Sequence, residues 1–193
     1  MNRIENLRKE MKKSGLAALL LTQPMSIAYL TGVKVAPGER FFALYVDDKE
    51  AALFVNVLFS VTECEGAEIK SYKDGDDPLK AVSERFPKDS LCGVDGLMPA
   101  KLLLRLMALR SDLKFTDGGA LTALVRMYKD KDEQAKMRAS SLQNDEVMGE
   151  LIELAKGRLS EKALAESLLP MYLKRGGSAL SFDPITGYGP HAA

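Results

Sequence analysis

Histidine and cysteine, the residues that most often build catalytic and metal sites, are scarce in this sequence. Its 193 residues include one histidine, His191, and two cysteines, Cys64 and Cys92. A zinc site or a disulfide framework needs more of these residues at closer spacings, so the sequence excludes both. Cys92 stands in an apolar run, which favours a buried reduced thiol. This use of cysteine predicts a cytoplasmic location.

An excess of charge and long apolar runs are missing too. The chain has 27 basic and 27 acidic residues, and this balance argues against a dedicated nucleic-acid binder, which needs a basic surplus. The longest apolar run, 16–21, is far too short to span a bilayer, and we expect no signal peptide before it. With 46% hydrophobic residues, the composition indicates a globular protein with a real core, not a disordered chain.

Helical and strand patterns alternate through the first two thirds of the sequence. Apolar residues at helical spacing predict a helix over 4–13, and the short apolar run 16–22 predicts a strand buried on both faces. Further strands are predicted over 40–46, 51–58, 68–72, 91–94 and 114–116, and further helices over 24–31, 78–86, 100–110 and 119–126. This alternation predicts an α/β fold, in which helices cover both faces of a mixed sheet.

The pattern changes near Tyr128, which places a boundary between two folding units at about 122–130. The predicted elements of the second unit are a long charged helix over 129–156, a helix over 161–175 and the start of a strand over 179–186. These elements carry an apolar face that nothing else in the chain covers. We therefore expect the beginning of a domain, whose last dozen residues are disordered or pair with another chain.

No self-sufficient catalytic set is visible in the sequence. His191 stands close to the end of the chain, where a fraying segment cannot hold a catalytic base. Asp74, Asp76 and Asp77 share one polar loop, which is typical of a solvated turn, and no second cluster completes a cation cage. No phosphate-binding glycine loop occurs, so the α/β pattern does not indicate nucleotide binding.

Six short motifs in a fixed order make the sequence resemble the creatinase and Xaa-Pro peptidase superfamily, which includes prolidase and aminopeptidase P. They lie at 8–22, 26–32 (Ser-Ile-Ala-Tyr-Leu-Thr-Gly), 39–44, 93–100 (Gly-Val-Asp-Gly-Leu-Met-Pro-Ala), 125–140 and 181–193 (beginning Ser-Phe-Asp-Pro-Ile-Thr-Gly). Each motif is weak alone, but their order is specific, and together they extend over essentially the whole chain.

The resemblance implies two domains and a metal-dependent activity. Residues 1–124 would form the creatinase-type N-terminal domain, an α/β fold resembling ribonuclease H. Residues 125–193 would be a linker and the first helices and strand of a truncated α+β "pita-bread" metallopeptidase domain. Active relatives are expected to use two divalent ions, manganese or cobalt, to activate a water that attacks the peptide bond before proline. We expect every metal ligand and catalytic histidine beyond Ala193, which would leave this chain without a catalytic or metal-binding residue and inactive.

The resemblance gives a functional role to one residue, Phe182. It is expected to bind substrate as a wall of the hydrophobic pocket for the residue before proline, or else to be a buried strand aromatic. His191 stands where relatives usually have Asn, so it is not expected to be one of the catalytic histidines.

Two other functions stay open beside a cytoplasmic Xaa-Pro dipeptidase or aminopeptidase. One is a non-catalytic dimerisation or binding module of the same family, and the other is a creatinase-like amidinohydrolase, which needs no metal. For the preferred hypothesis, the expected partners are proline-containing peptides and a second copy of the chain in a homodimer. We expect neither nucleic acid nor a membrane as a partner.

Overall fold

The computed structural model describes residues 2–192 and divides them into two compact units. The first unit ends at Tyr128, and the second begins at Lys129. The strands are β1 (Ala18–Leu21), β2 (Ala43–Asp47), β3 (Ala51–Asn56), β4 (Glu68–Tyr72), β5 (Leu91–Val94) and β6 (Lys114–Asp117). The helices are α1 (Arg3–Lys13), α2 (Pro24–Thr31), α3 (Pro78–Ser83), α4 (Ala100–Leu109), α5 (Gly119–Met127), α6 (Lys131–Ala155) and α7 (Glu161–Lys174).

The strands of the first unit form one mixed sheet. Their order across it is β4-β3-β2-β1-β5-β6, so β4 and β6 are its edges. β1 pairs antiparallel with β2, which pairs antiparallel with β3 through the predicted hairpin. The pairs β1–β5, β3–β4 and β5–β6 are parallel, and each requires a crossover connection.

Helices cover both faces of this sheet, as the alternation of elements predicted. α1, α2 and α5 pack on the face that carries Leu19, Leu44 and Leu53. α3 and α4 pack on the opposite face, which carries Leu20 and Tyr45. Every residue of the three central strands β1, β2 and β3 is buried, which explains why these strands are nearly continuous apolar runs in the sequence.

Local signals in the sequence set several helix ends. Gly32 adopts a left-handed conformation with a φ of 77° and ends α2, where a side chain would be strained. Asp130 forms a capping box with Glu133 at the start of α6, and both hydrogen bonds are 2.9 Å long. Ser160 caps α7 by accepting a hydrogen bond from the N–H of Ala163 at 3.2 Å.

The second unit is a pair of helices, α6 and α7, which a small apolar interior and one arginine hold together. Val147 and Leu151 of α6 and Leu164 and Met171 of α7 are its buried apolar residues. The guanidinium of Arg175 lies 3.0 Å from the carboxylate of Glu146 and also contacts that of Glu150. Arg175 thereby ties the end of α7 to α6.

The strand predicted over 179–186 does not form. Residues 129–192 contain no strand in the structure, and 179–188 is irregular chain followed by a 3-10 turn over Gly189–Ala192. A strand needs a neighbour for its backbone hydrogen bonds, and this segment has none in its unit. Within residues 2–192, no helix combines the length and the apolar character that a membrane span requires.

Candidate functional site

One buried carboxylate joins the carboxyl ends of β1 and β5. Asp95 follows β5 directly, is 4% exposed, and accepts hydrogen bonds from the backbone N–H groups of Thr22 and Gln23. The hydroxyl of Thr22 and the N–H of Leu97 donate to the same carboxylate at 3.1 and 3.2 Å. In α/β sheets, ligands often bind beside the carboxyl ends of the strands. Here the protein's own donors occupy the carboxylate, so Asp95 is a structural link between two strands.

A cleft of about 480 Å³ opens near the start of β2, the end of β4 and α3. Its rim carries two ion pairs, in which Arg40 lies 3.1 Å from Asp74 and Arg105 contacts Asp77. The hydrogen bond from the Arg40 guanidinium lowers the pKa of the Asp74 carboxyl. Because both guanidinium groups already bind carboxylates of the protein, neither is a ready site for an anionic ligand.

The three aspartates of the polar loop each have a separate structural partner. Asp74 accepts a hydrogen bond from the amide of Asn56 at 2.8 Å, in addition to its pairing with Arg40. Asp76 accepts from the N–H of Lys73 at 2.7 Å, and Asp77 caps α3. The carboxylates therefore support a turn and a helix start, and they do not converge on a common point.

The two thiols are not activated as nucleophiles. Cys92 is fully buried in β5, as its apolar run predicted, and burial raises the pKa of its thiol. Cys64 is half-buried, and burial raises the pKa of that thiol as well. Both cysteines therefore favour the protonated form, which is a poor nucleophile.

Phe182, the residue expected to bind substrate, lies in the irregular segment after α7 with 79% of its surface exposed. His191 lies nearby in the sequence, and its Nδ1 is 3.0 Å from the carboxylate of Glu161. The same carboxylate accepts a hydrogen bond from the N–H of Tyr188 at 2.8 Å. The segment 186–191 is thereby attached to the first turn of α7, although we expected disorder or pairing with another chain there.

A metal pair, which the resemblance implies for active relatives, does not fit the residues present. Within residues 2–192, no three side chains of His, Cys, Asp or Glu come together as a metal site requires. Asp117, at the end of β6, is exposed and accepts a hydrogen bond from the N–H of Gly119 at 2.8 Å.

Comparison with known proteins identifies the family of the chain. A family model described as the creatinase/prolidase N-terminal domain matches residues 3–128, which is more than half of the chain. The chain belongs to this family. This creatinase/prolidase N-terminal domain protein is 25% identical to an Xaa-Pro dipeptidase of Lactobacillus delbrueckii subsp. lactis, over 98% of the chain and 55% of that relative.

Solved structures establish the fold of this creatinase/prolidase N-terminal domain protein. A prolidase from Thermococcus sibiricus matches 95% of the chain with a TM-score of 0.80 and 23% identity, over 52% of its own length. A dipeptidase from Mycobacterium ulcerans matches 97% of the chain with the same TM-score of 0.80 and 23% identity, over 55% of its own length. The chain spans about half the length of the curated relatives it matches. The family resemblance and the α/β fold class predicted from the sequence are both confirmed.

Sequence reasoning missed Asp95 as a structural residue. The only signal in the sequence is its position directly after a short apolar strand and before Gly96. Its partner Thr22 is 73 residues away, at the end of a strand that lies parallel to β5. Nothing local in the sequence identifies such a pair.

Proposed function

We propose that this chain is the N-terminal part of a metal-dependent Xaa-Pro dipeptidase or aminopeptidase, which hydrolyses the peptide bond before proline. The observation that carries the proposal is the family match over residues 3–128, extended by the likeness to an Xaa-Pro dipeptidase along 98% of the chain. In this proposal the substrates are proline-containing peptides, the enzyme is a homodimer, and it is located in the cytoplasm.

The proposed enzyme uses two divalent ions, Mn²⁺ or Co²⁺. Residues 2–192 do not offer a ligand set for such a pair. In the proposal, the ligands therefore lie outside these residues, and the 193-residue chain alone is inactive. The first unit then serves as a supporting domain. The carboxylate of Asp95 is occupied by the protein's own hydrogen-bond donors, and both thiols favour the unreactive protonated form.

Phe182 is the one substrate contact in this proposal. The residue is 79% exposed, so its ring is available to line a pocket for the side chain that precedes proline. In the active enzyme, Phe182→Ala should raise KM for Xaa-Pro dipeptides with an apolar first residue more than it lowers kcat, because the ring would contribute binding and no proton transfer. An unchanged KM in the Phe182→Ala variant would refute the proposed substrate contact.

The activity is tested with matched Xaa-Pro and Xaa-Ala dipeptides in the presence of Mn²⁺. The 193-residue chain should release no proline. The product of the uninterrupted reading frame that contains this chain should release proline from Xaa-Pro alone, and EDTA should abolish that release. Proline release by the 193-residue chain would refute its inactivity. Hydrolysis of creatine without added metal would instead support the amidinohydrolase, and a longer protein that dimerises without hydrolysing any substrate would support the binding module.

A further inference from the structure

The cleft near the start of β2 and the end of β4 has an apolar floor, which Phe41, Leu79 and Leu102 form. Leu79 is 1% exposed and belongs to the core cluster beneath α3 and α4, against which Phe41 and Leu102 pack. Sites for small molecules are typically concave and mostly apolar, with a few polar groups that orient the ligand. With a volume of about 480 Å³, this cleft has room for an amino acid or a short peptide.

The rim of the cleft carries charges of both signs, on Arg40, Lys73, Arg105, Asp74, Asp76 and Asp77. The two arginines are already paired, each with one of the aspartates. The charges that remain are the ammonium of Lys73 and the carboxylate of Asp76. Within residues 2–192, the Lys73 ammonium has no hydrogen-bond or ion-pair partner, and the Asp76 carboxylate contacts no cation. One positive and one negative group are therefore available at the rim.

Lys73 and Asp76 are the two ends of one tight turn. The N–H of Asp76 donates to the carbonyl of Lys73 at 3.1 Å, and the carboxylate of Asp76 accepts from the N–H of Lys73 at 2.7 Å. Such a turn brings its first and last Cα atoms within about 7 Å of each other. Between them, Asp74 is bound by Arg40 and by the amide of Asn56, which is 1% exposed. The turn is thereby fixed, and its two available charges stand close together beside the apolar floor.

We propose that this cleft binds a small zwitterion with an apolar side chain, the chemical class of free α-amino acids and short peptides. The carboxylate of the ligand pairs with the ammonium of Lys73, and the ammonium of the ligand pairs with the carboxylate of Asp76. The apolar side chain of the ligand then covers Phe41 and Leu102. This inference goes beyond the proposed function and does not depend on the peptidase activity.

The balance of charge in the cleft selects a ligand that carries both signs. An anion would match Lys73 but would bring a second negative charge next to Asp76, and a cation would do the reverse. A zwitterion satisfies both groups and leaves the cleft neutral. The pairs of Arg40 with Asp74 and of Arg105 with Asp77 stay intact, so binding does not require the protein to break an ion pair.

A titration of the 193-residue chain with L-leucine, followed by two-dimensional amide NMR spectra, tests the site. The backbone amides of 73–77 should shift with a dissociation constant of about 1 mM, as expected for a ligand with about ten non-hydrogen atoms. N-acetyl-leucine lacks the ammonium, leucinamide lacks the carboxylate and glycine lacks the apolar side chain. Each should bind at least about threefold more weakly than leucine. Leucyl-alanine separates the two sources of zwitterion: tighter binding than leucine assigns the cleft to short peptides, and weaker binding assigns it to free amino acids.

Two isosteric or nearly isosteric variants test the contacts. Lys73→Gln and Asp76→Asn should each weaken leucine binding about three- to tenfold, because each removes one charge pair. Asp76→Asn keeps an oxygen that accepts from the N–H of Lys73, so the turn is retained. In this variant, leucine and N-acetyl-leucine should bind about equally, since the ammonium has lost its partner, whereas damage to the turn would weaken both ligands alike. Lys88→Gln, at an exposed lysine that does not line the cleft, is the matched control and should bind leucine as the wild type does.

Three results would overturn the proposal. They are the absence of any leucine-dependent shift over 72–79 even at tens of millimolar, wild-type affinity for leucine in both variants, and equal binding of leucine and N-acetyl-leucine to the wild type. Weaker leucine binding in Lys73→Gln and Asp76→Asn, together with the loss of discrimination against N-acetyl-leucine in Asp76→Asn alone, would establish it.

Discussion

The carboxylate of Asp95 accepts hydrogen bonds from both the backbone N–H and the hydroxyl of Thr22, so one side chain fastens the end of β5 to the end of β1. Two further N–H groups, those of Gln23 and Leu97, donate to the same carboxylate. These donors lie at the start of α2 and in the turn that leads to α4. The geometry of two βα connections therefore depends on one buried group.

We expect Asp95→Ala to destabilise the first unit by at least about 2 kcal/mol, because several buried or half-buried donors would lose their acceptor. Asp95→Asn should destabilise it less, since the amide keeps one acceptor oxygen but points an NH₂ group at N–H donors. Urea unfolding followed by circular dichroism measures both. The control is Asp117→Asn at the neighbouring strand end, where the carboxylate is exposed and we expect a loss below about 1 kcal/mol. Equal losses at the two positions would show that Asp95 is not the link described.

A close approach between β5 and the start of α5 explains the glycines at positions 93 and 118. A Cβ atom at Gly93 in β5 would lie 2.7 Å from Cδ1 of Leu19 and 3.3 Å from Cα of Gly118. Leu19 is fully buried, so its side chain can move away only by displacing the residues packed around it. Gly93→Ala should therefore destabilise the first unit by about 1–3 kcal/mol through overpacking.

The matched control for this substitution lies in α6. A Cβ at Gly149 would meet no atom within 4 Å, so Gly149→Ala should stabilise the second unit by about 0.5–1 kcal/mol through helix propensity. Thermal unfolding of both variants beside the wild type gives the comparison. If Gly93→Ala left the stability of the first unit unchanged, the buried Leu19 side chain would have to shift without cost, and the overpacking argument would be wrong.

Most of the first unit could be predicted from the sequence because its signals are local. Continuous apolar runs marked β1 and β3, and glycine at position 32 marked the end of α2, where a left-handed conformation is required. The prediction of a strand over 179–186 was wrong. A sequence that favours extended backbone does not form a strand without a neighbouring strand to pair with, and the local sequence does not determine that neighbour. The sheet order, and with it the open edge of β4, likewise depends on contacts distant in sequence.

Thr122 in α5 carries the one buried side-chain oxygen or nitrogen atom without a hydrogen-bond partner in the described residues. Thr122→Val replaces this hydroxyl by a methyl group of similar shape, so it should raise the free energy of unfolding by about 1 kcal/mol. The same substitution at Thr31 should have the opposite effect. Thr31 is also buried, but its hydroxyl donates to the carbonyl of Ile27 at 2.7 Å and accepts from the N–H of Val33.

For Thr31→Val we expect a loss of about 1–2 kcal/mol, because two buried groups lose a partner. Chemical denaturation of the two variants under identical conditions gives the difference in sign. The explanation would be refuted by a destabilised Thr122→Val variant, since its hydroxyl would then make an interaction that the structure does not contain.

The second unit should lose stability in acid through Glu150. The hydrogen bond from Arg175 lowers the pKa of the Glu150 carboxyl, so the folded state favours the charged form. A lowered pKa contributes stability above the ordinary glutamate value of about 4.3, and this contribution disappears as the pH falls through the folded value. Glu150→Gln should therefore reduce the stability of the unit at neutral pH and make it less dependent on pH.

Thermal unfolding between neutral and acidic pH tests this sign. The curves of wild type and Glu150→Gln should converge at the acid end, where the carboxyl is protonated. In an Arg175→Gln background, Glu150→Gln should change neither the stability nor its pH dependence appreciably, because the partner is already gone. Parallel curves for wild type and Glu150→Gln in the native background would show that this pair does not contribute.

The candidate site was less predictable than the fold because its polar contacts are distant in sequence. Phe182 came from the family resemblance alone, and its binding role stays a prediction. The link between Glu161 and His191 spans 30 residues and depends on how the segment after α7 turns back, which no local pattern indicates.

The attachment of residues 186–191 to α7 depends on Glu161. Its carboxylate accepts hydrogen bonds from the N–H of Tyr188 at 2.8 Å, and its backbone carbonyl accepts one from the hydroxyl of Thr186 at 2.8 Å. Glu161→Ala removes the first contact and keeps the second. We expect the amide of Tyr188 to exchange about two- to tenfold faster, the factor for one hydrogen bond worth about 0.5–1.5 kcal/mol.

Hydrogen exchange of the 193-residue chain, resolved by residue, measures this change. Glu166→Ala on the same helix is the matched control. That glutamate lies 3.7 Å from Lys162, and the hydrogen bonds from Thr186 and Tyr188 go to Glu161 instead. It should leave exchange at Tyr188 unchanged, and global unfolding should be the same in both variants. If the Tyr188 amide of the wild type already exchanged at the rate of an unstructured peptide, Glu161 would not hold the segment, and the expectation of a disordered end would be the correct one.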